Sequence, residues 1–412
     1  MTPDFLFYIF ISIILFHFVL GRIFDYLNSK SRKLPVPEEG KGIYDDEKYK
    51  KSQEYHSELD RFGIIESGFG LVVMLSFFFL DGFAWLDGIV RNYTGQPLFI
   101  SLLFFFILAI ANDIISIPFD LYSTFVIEEK YGFNKTTAKT FILDKIKGYF
   151  LMIIIGGAIL SALAWFFEYS GEYFWIFSWG LLSFFMLIIT MFYTSVFLPM
   201  FNKLSPLPEG ELRIAIEEYG KKNGFQLKNI FVMDGSKRSS KANAFFSGFG
   251  PKKTIVLYDT LIEKHTTGEL VAILAHEVGH YKLKHTISGL ISGLLQSAIM
   301  LYLLSFFIRN ELMAQALGVE QPSFHIGIIA FSILYTPVST LTGIFMNFIS
   351  RKNEFAADAF AKKTFNGEVL QSALKKLSVD NLSTLTPHPA YVFMNYSHPP
   401  LLARLKALKK PA

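Results

Sequence analysis

Long apolar runs separated by polar connections set the plan of this chain. A helix needs about 20 apolar residues to cross a bilayer. Seven runs meet that length, at residues 5–24, 64–86, 98–120, 149–169, 173–199, 287–308 and 324–349. Glu66, Asp81, Asn112 and Asp113 interrupt the second and third. Polar groups facing lipid are costly, so Asn112 and Asp113 should meet an aqueous interior or a partner side chain. Glu66, His17 and His325 lie near run ends, where interfacial placement is expected. Met1-Thr2-Pro3-Asp4 has no basic start, and no small-residue cleavage site follows, so the first run should remain as a signal anchor.

Between the fifth and sixth runs the pattern changes. Asn229–Met233 and Thr254–Tyr258 read as short strands around a hairpin-like stretch, Asn243–Gly248. Thr266-Thr267-Gly268-Glu269 then forms a capping box. Behind it Leu270, Val271, Ile273, Leu274 and Val278 supply the apolar face of a helix. The first polar connection, with Pro35, Pro37 and alternating acids and bases from Glu38 to Arg61, should be partly helical.

Composition fits this plan. Hydrophobic residues make up 51% of the chain, with 45 Phe and 19 Tyr, too much apolar surface for a soluble domain of this size. There is no cysteine, which excludes a disulfide framework, thiolate metal ligands and a thiol nucleophile. The formal charge of +4 gives no reason to expect nucleic-acid binding. The positions of the charges say more. All of the 39 Lys and Arg except Arg91 and Arg309 fall on one side of the seven-run alternation. The positive-inside rule makes that side cytoplasmic, with the N-terminus outside and the C-terminus inside. Absence of cysteine and compact loops favour a bacterial inner membrane over the endoplasmic reticulum.

The candidate chemistry lies in the capped helix, at His276-Glu277-Val278-Gly279-His280. Imidazoles at i and i+4 share one helix face, which suits two ligands of a tetrahedral Zn2+, and the intervening Glu277 can act as general base toward water at the metal. Leu283 and Thr286 stand where a metzincin would need Gly and His, so the third ligand must come from elsewhere. Asn353-Glu354-Phe355-Ala356-Ala357-Asp358 offers Glu354 as that ligand. Asp358, one turn on, can accept a ligand imidazole N–H. His285 is a rival, but continuing the helix would turn it about 140° off the motif face. Leu80-Asp81-Gly82 matches part of an intramembrane-protease motif, yet it precedes the zinc motif instead of following it.

The chain divides accordingly. Residues 1–199 hold five spans and two cytoplasmic loops, and 200–286 form the segment with the zinc helix. Residues 287–349 hold spans six and seven, and 350–412 carry the third ligand and the tail.

Several motifs in order give a family resemblance. Besides the zinc motif and Glu354 to Asp358, they are Phe125 to Lys135, Asp234 to Ser240, Asn243-Ala244-Phe245-Phe246, and Ser397-His398-Pro399-Pro400 with Arg404 behind. Over nearly its whole length the chain resembles the type I CAAX prenyl endopeptidases, integral-membrane gluzincins. The resemblance implies a mainly α fold in which about seven transmembrane helices enclose a chamber, closed by a zinc domain with a small hairpin or sheet. It implies one Zn2+ per chain on His276, His280 and Glu354, with Asp358 behind them. It gives Asn243 to substrate backbone binding on an edge strand and His398 to oxyanion stabilisation. The implied substrate is a peptide or protein, the isoprenylated C-terminus, cut after the modified cysteine to release a tripeptide. Two alternatives stand beside it. One is a heat-shock quality-control protease of the HtpX type, which has fewer spans. The other is a non-catalytic metal-binding transporter or receptor, for which an intact Glu277 has no use.

Overall fold

The computed structural model describes residues 2–224, 229–247 and 254–410. Among them, seven helices are long and apolar enough to cross a membrane: Pro3–Arg32, Asp46–Phe79, Pro97–Glu128, Ala138–Tyr169, Gly171–Phe201, His285–Phe307 and Phe324–Thr364. Most are longer than the apolar runs because helical geometry continues beyond the lipid-matched stretch. The first polar connection is helical from Asp46, capped by Asp45, whose side chain accepts from Lys48 N. The last helix, 41 residues long, runs through its span and onward to carry Glu354 and Asp358. The protein is a multi-pass membrane protein of mainly helical fold.

The second span differs from the expected 64–86. It ends at Phe79, Asp81 takes a left-handed backbone with φ 51°, and a separate short helix runs Gly82–Tyr93. The buried polar residue within that helix explains the break. Asp87 accepts from Arg91 Nε at 2.7 Å and lies 2.7 Å from His325 Nε2. Phe83, Leu86 and Val90 meanwhile pack with Phe10, Phe78, Phe104 and Ile326. Folding back brings Asp87 to a partner on another helix, His325, in addition to its own-helix neighbour Arg91. His325 is thereby buried at 1% exposure, with Ser101 Oγ at 3.1 Å from its Nδ1. Asp113 finds the partner expected of it, accepting from Lys145 Nζ at 2.6 Å.

The polar segments form a four-stranded sheet in the order β1-β2-β4-β3, where β1 is Leu204–Pro206, β2 Ile230–Met233, β3 Ala244–Ser247 and β4 Thr254–Tyr258. β2 and β4 pair in parallel, and the other two pairings are antiparallel. Gly248, at the end of the expected hairpin-like stretch, lies outside the described residues. The β1 strand was not expected, because three residues ending in proline carry no period.

Residues far apart in sequence share one core here. Ile216, Ile255, Leu257, Leu261, Leu274 and Val278 join Ala361, Leu370 and Leu408. Each large aliphatic side chain buried this way contributes roughly 1.5–3 kcal/mol. Two of the family-like motifs fasten this body to the spans. Arg238 donates to both oxygens of Asp144 at 2.8 and 2.9 Å, and Lys241 bonds Glu128 at 2.9 Å. Ser240 N donates to the Phe133 carbonyl at 3.0 Å.

Candidate metal centre

The helix carrying the zinc motif, Thr267–Lys282, starts with the expected capping box: Thr266 accepts from Glu269 N, and the Glu269 side chain accepts from Thr266 N. It packs against the last long helix so closely at Gly279 that any side chain there would be crowded. A Cβ built on Gly279 would meet the Ala357 backbone at 3.1 and 3.2 Å and Phe360 Cβ at 3.2 Å. That approach brings the two histidines to Glu354.

His276 Nε2 and His280 Nε2 lie 3.1 Å apart. Glu354 Oε1 is 3.2 Å from His280 Nε2, and Glu354 Oε2 is 3.4 Å from His276 Nε2. One ligand atom from each residue falls within 4.8 Å of the others. Glu354 Oε2 is buried without a hydrogen-bond partner. Behind His276, Nδ1 faces Asp358 Oδ1 at 2.9 Å, and Arg404 holds both oxygens of Asp358. Burial by itself would lower the His276 pKa, but hydrogen bonds with Asp358 and Glu354 outweigh it and raise it to about 9. The point on which these lone pairs converge therefore favours positive charge. Two imidazoles and a carboxylate form a donor set suited to zinc, so the residues fit a metal ion.

Glu277 borders a cavity of about 340 Å3 together with His280, Phe245, Phe246 and His285. Burial, the largest influence, pushes its carboxyl above the ordinary value, against the lowering effect of the two neighbouring histidines. The Phe246 backbone hydrogen-bonds the same carboxyl, so the edge strand β3 runs beside it. His398 Nε2 lies 3.3 Å from Glu354 Oε1, and its side chain is 66% exposed. It lines a second cavity of about 480 Å3 with Lys241, Tyr396 and Arg404. Asn243 is exposed just before β3, its carbonyl accepting from Tyr258 N at 3.1 Å.

All the sequence-predicted site residues but Asn243 thus make a contact within this cluster or border its cavity, and Asn243 stands at the start of the adjoining strand. Two features are not evident from the sequence pattern. Arg404, on a short C-terminal helix Leu401–Lys409, is the clamp on Asp358. The resemblance had already marked Arg404 behind Ser397 to Pro400, but nothing in the spacing gave it this partner. His285 also returns to the site, its Nδ1 at 3.0 Å from His280 Nδ1. The zinc helix stops at Lys282, Lys284 adopts φ 60°, and the next helix begins at His285, so the helical extrapolation that turned His285 away does not hold.

Comparison with known proteins finds relatives along nearly the whole chain. Residues 25–203 match the family described as CAAX prenyl protease N-terminal, five membrane helices, and residues 206–412 match peptidase family M48. A CAAX prenyl protease 1 homolog of Oryza sativa is 36% identical over 401 residues, covering 95% of this chain and 94% of the relative. The Homo sapiens homolog is 32% identical, covering 97% and 95%. The crystal structure of S. mikatae Ste24p superposes with a TM-score of 0.93 at 32% identity, covering 98% of this chain and 99% of that one.

Proposed function

Because the chain belongs to peptidase family M48, in its CAAX prenyl protease branch, we propose that His276, His280 and Glu354 hold one zinc ion. The protein is a membrane metallo-endopeptidase. Bound there, zinc would supply a Lewis acid that brings the pKa of water to about 7 and polarises the scissile carbonyl. Glu277 takes the proton of the attacking water and delivers it to the leaving amine nitrogen. His398 donates to the developing oxyanion from an exposed Nε2. Asp358 accepts the His276 Nδ1–H and so leaves Nε2 as the ligand atom, with Arg404 holding Asp358 in place.

The observation that carries this reading is the outer strand of the sheet beside Glu277. An extended peptide can add to such an edge and present its carbonyl to the metal side, with Asn243 binding substrate backbone at the strand start. The substrate we propose is the C-terminus of an isoprenylated protein, cleaved after the modified cysteine to release a tripeptide, as the names of the relatives suggest. The spans of 1–199 serve as membrane scaffold, while 200–286 and 350–412 form two halves of the peptidase joined through the span pair in 287–349. The one-sided Lys and Arg support a cytoplasmic zinc side with the N-terminus outside. The relatives come from eukaryotes, and this supports an endoplasmic reticulum membrane over the bacterial inner membrane that the cysteine-free composition suggested.

A farnesylated peptide with a three-residue tail, incubated with purified protein, tests the substrate. Release of the intact tripeptide, lost in Glu277→Gln, is expected. Cleavage of unprenylated membrane proteins with no tripeptide release would point instead to quality-control proteolysis.

A further inference from the structure

The last long helix carries a stripe of four polar side chains. Asn347, Arg351, Glu354 and Asp358 stand at i, i+4, i+7 and i+11 and so share one face. The last two are the candidate ligand and its neighbour. The first two hold a short helix, Pro389–Asn395, by carbonyls at its C-terminal end, where a helix has few partners of its own to offer. Asn347 Nδ2 donates to the Met394 carbonyl at 2.8 Å. Arg351 Nη1 donates to the Val392 carbonyl at 3.1 Å and to the carbonyl of Tyr396, the residue at which that helix ends. Among the described residues Arg351 makes no ion pair with a carboxylate, so its bonds fix position instead of pairing charge.

His398 stands just beyond this anchor. Its side chain is 66% exposed, so packing by neighbours does little to hold it. The backbone does more. Pro399 restricts His398 to extended conformations and is itself buried. Pro400 caps the helix Leu401–Lys409, whose Arg404 is gripped by Asp358. The segment 396–404 is thus tied at both ends to one helix, at Arg351 and at Asp358, which lie roughly 10 Å apart along its axis. Within that strap Ser397 Oγ is 2.9 Å from His398 Nδ1 and orients the ring. The outcome is that His398 Nε2 stands 3.3 Å from Glu354 Oε1, beside the candidate ligands.

We propose that Arg351 is a positioning residue for His398: by holding the Tyr396 carbonyl it sets where the imidazole meets the oxyanion. This rests on the reading of His398 as the oxyanion donor. A charged donor bonded to two carbonyls at the start of the strap resists sliding of Tyr396 along the long helix. A group that stabilises developing charge works only within hydrogen-bond reach of it, and misplacing such a group by about 1 Å can cost about 100-fold in rate. Arg351 bonds none of His276, His280 and Glu354, so its effect on rate passes through His398 and leaves zinc affinity alone.

Cleavage of a farnesylated peptide by the full chain, in the four combinations of Arg351→Met and His398→Ala, tests this, with zinc content measured on each. Arg351→Met alone should lower kcat about 10- to 100-fold with KM and zinc content near wild type. Arg351→Lys, which keeps a donor for the Tyr396 carbonyl, should recover most of that loss. Once His398 is Ala, Arg351→Met should cost less than about 2-fold more. Hydrogen exchange of the zinc-free protein should rise in 389–398 of Arg351→Met and stay unchanged in the helix 267–282. Arg351→Gln carries the same cycle if Arg351→Met does not fold. Unchanged kcat, a loss that persists in full beside His398→Ala, or a loss explained by missing zinc would overturn the proposal. Normal kcat in His398→Ala would defeat the oxyanion reading and this proposal with it. If the wild type leaves the peptide uncut, the substrate reading fails, and unchanged exchange in 389–398 then overturns the role of Arg351.

Discussion

Arg404 donates from Nε and Nη2 to the two oxygens of Asp358, at 2.8 and 2.6 Å, and Asp358 in turn faces His276 Nδ1 at 2.9 Å. A planar fork holds the carboxylate that faces the imidazole proposed as a zinc ligand. Lysine keeps the charge but cannot reproduce the fork. Arg404→Lys should therefore weaken zinc binding about 10-fold or more, the usual effect of losing an outer partner of a metal ligand. Competition with a chelator measures it, and an unchanged zinc affinity would remove Arg404 from the site.

Glu277→Gln keeps the shape of the side chain and leaves the three ligands intact. Zinc content should stay near wild type, while peptide hydrolysis should fall by about 10² to 10⁴ or more as proton transfer is lost. Near-normal turnover in a zinc-loaded variant would mean that another group is the base.

The ligand set and its surroundings can be ranked. Glu354→Gln removes a charged ligand and should lose most of its zinc to mild chelation. His285→Ala removes only the neighbour of His280 Nδ1, 3.0 Å away, and should show a smaller loss, about 10-fold in affinity. Equal loss in both variants would place His285 among the ligands.

Glu269 offers a test of stability away from the chemistry. Burial would raise its carboxyl, but the Thr266 backbone N–H, the Ser372 hydroxyl and Lys376 outweigh it and hold it below the ordinary 4.5. A carboxyl with a depressed folded-state pKa contributes stability above pH 4.5 and loses it as pH falls through the lowered value. Glu269→Gln should therefore be less stable than wild type at neutral pH by about 1 kcal/mol or somewhat more, seen as a lower unfolding temperature. The gap should narrow below pH 4.5. A gap that stays constant with pH would show that the charge is not responsible.

Topology is open to direct labelling because the chain has no cysteine. Single cysteines at the exposed positions Lys139 and Lys237 should resist an impermeant thiol reagent in intact cells, and one at Asn92 should react. Reaction at Lys237 without permeabilisation would put the sheet and metal centre outside the cytoplasm.

The spans, the capped helix and the pairing of His276 with His280 on one of its faces were legible because each rests on a local period. Bilayer thickness dictates the length of an apolar run, a capping box marks where a helix starts, and i, i+4 spacing puts His276 and His280 on one face. The alternation of basic connections likewise needs no coordinates. The strand pair around Asn243 was visible in composition, but the parallel pairing of β2 with β4 and the three-residue β1 strand were not, since pairing partners are chosen by the folded core. Tertiary structure alone decided the short helix Gly82–Tyr93, which folds back and brings Asp87 to His325 on the last long helix. It also decided the clamp of Arg404 on Asp358 and the return of His285 to His280. These contacts join residues on separate helices or turn on one left-handed residue, Lys284, and a helical period carries no information past the residue that breaks it.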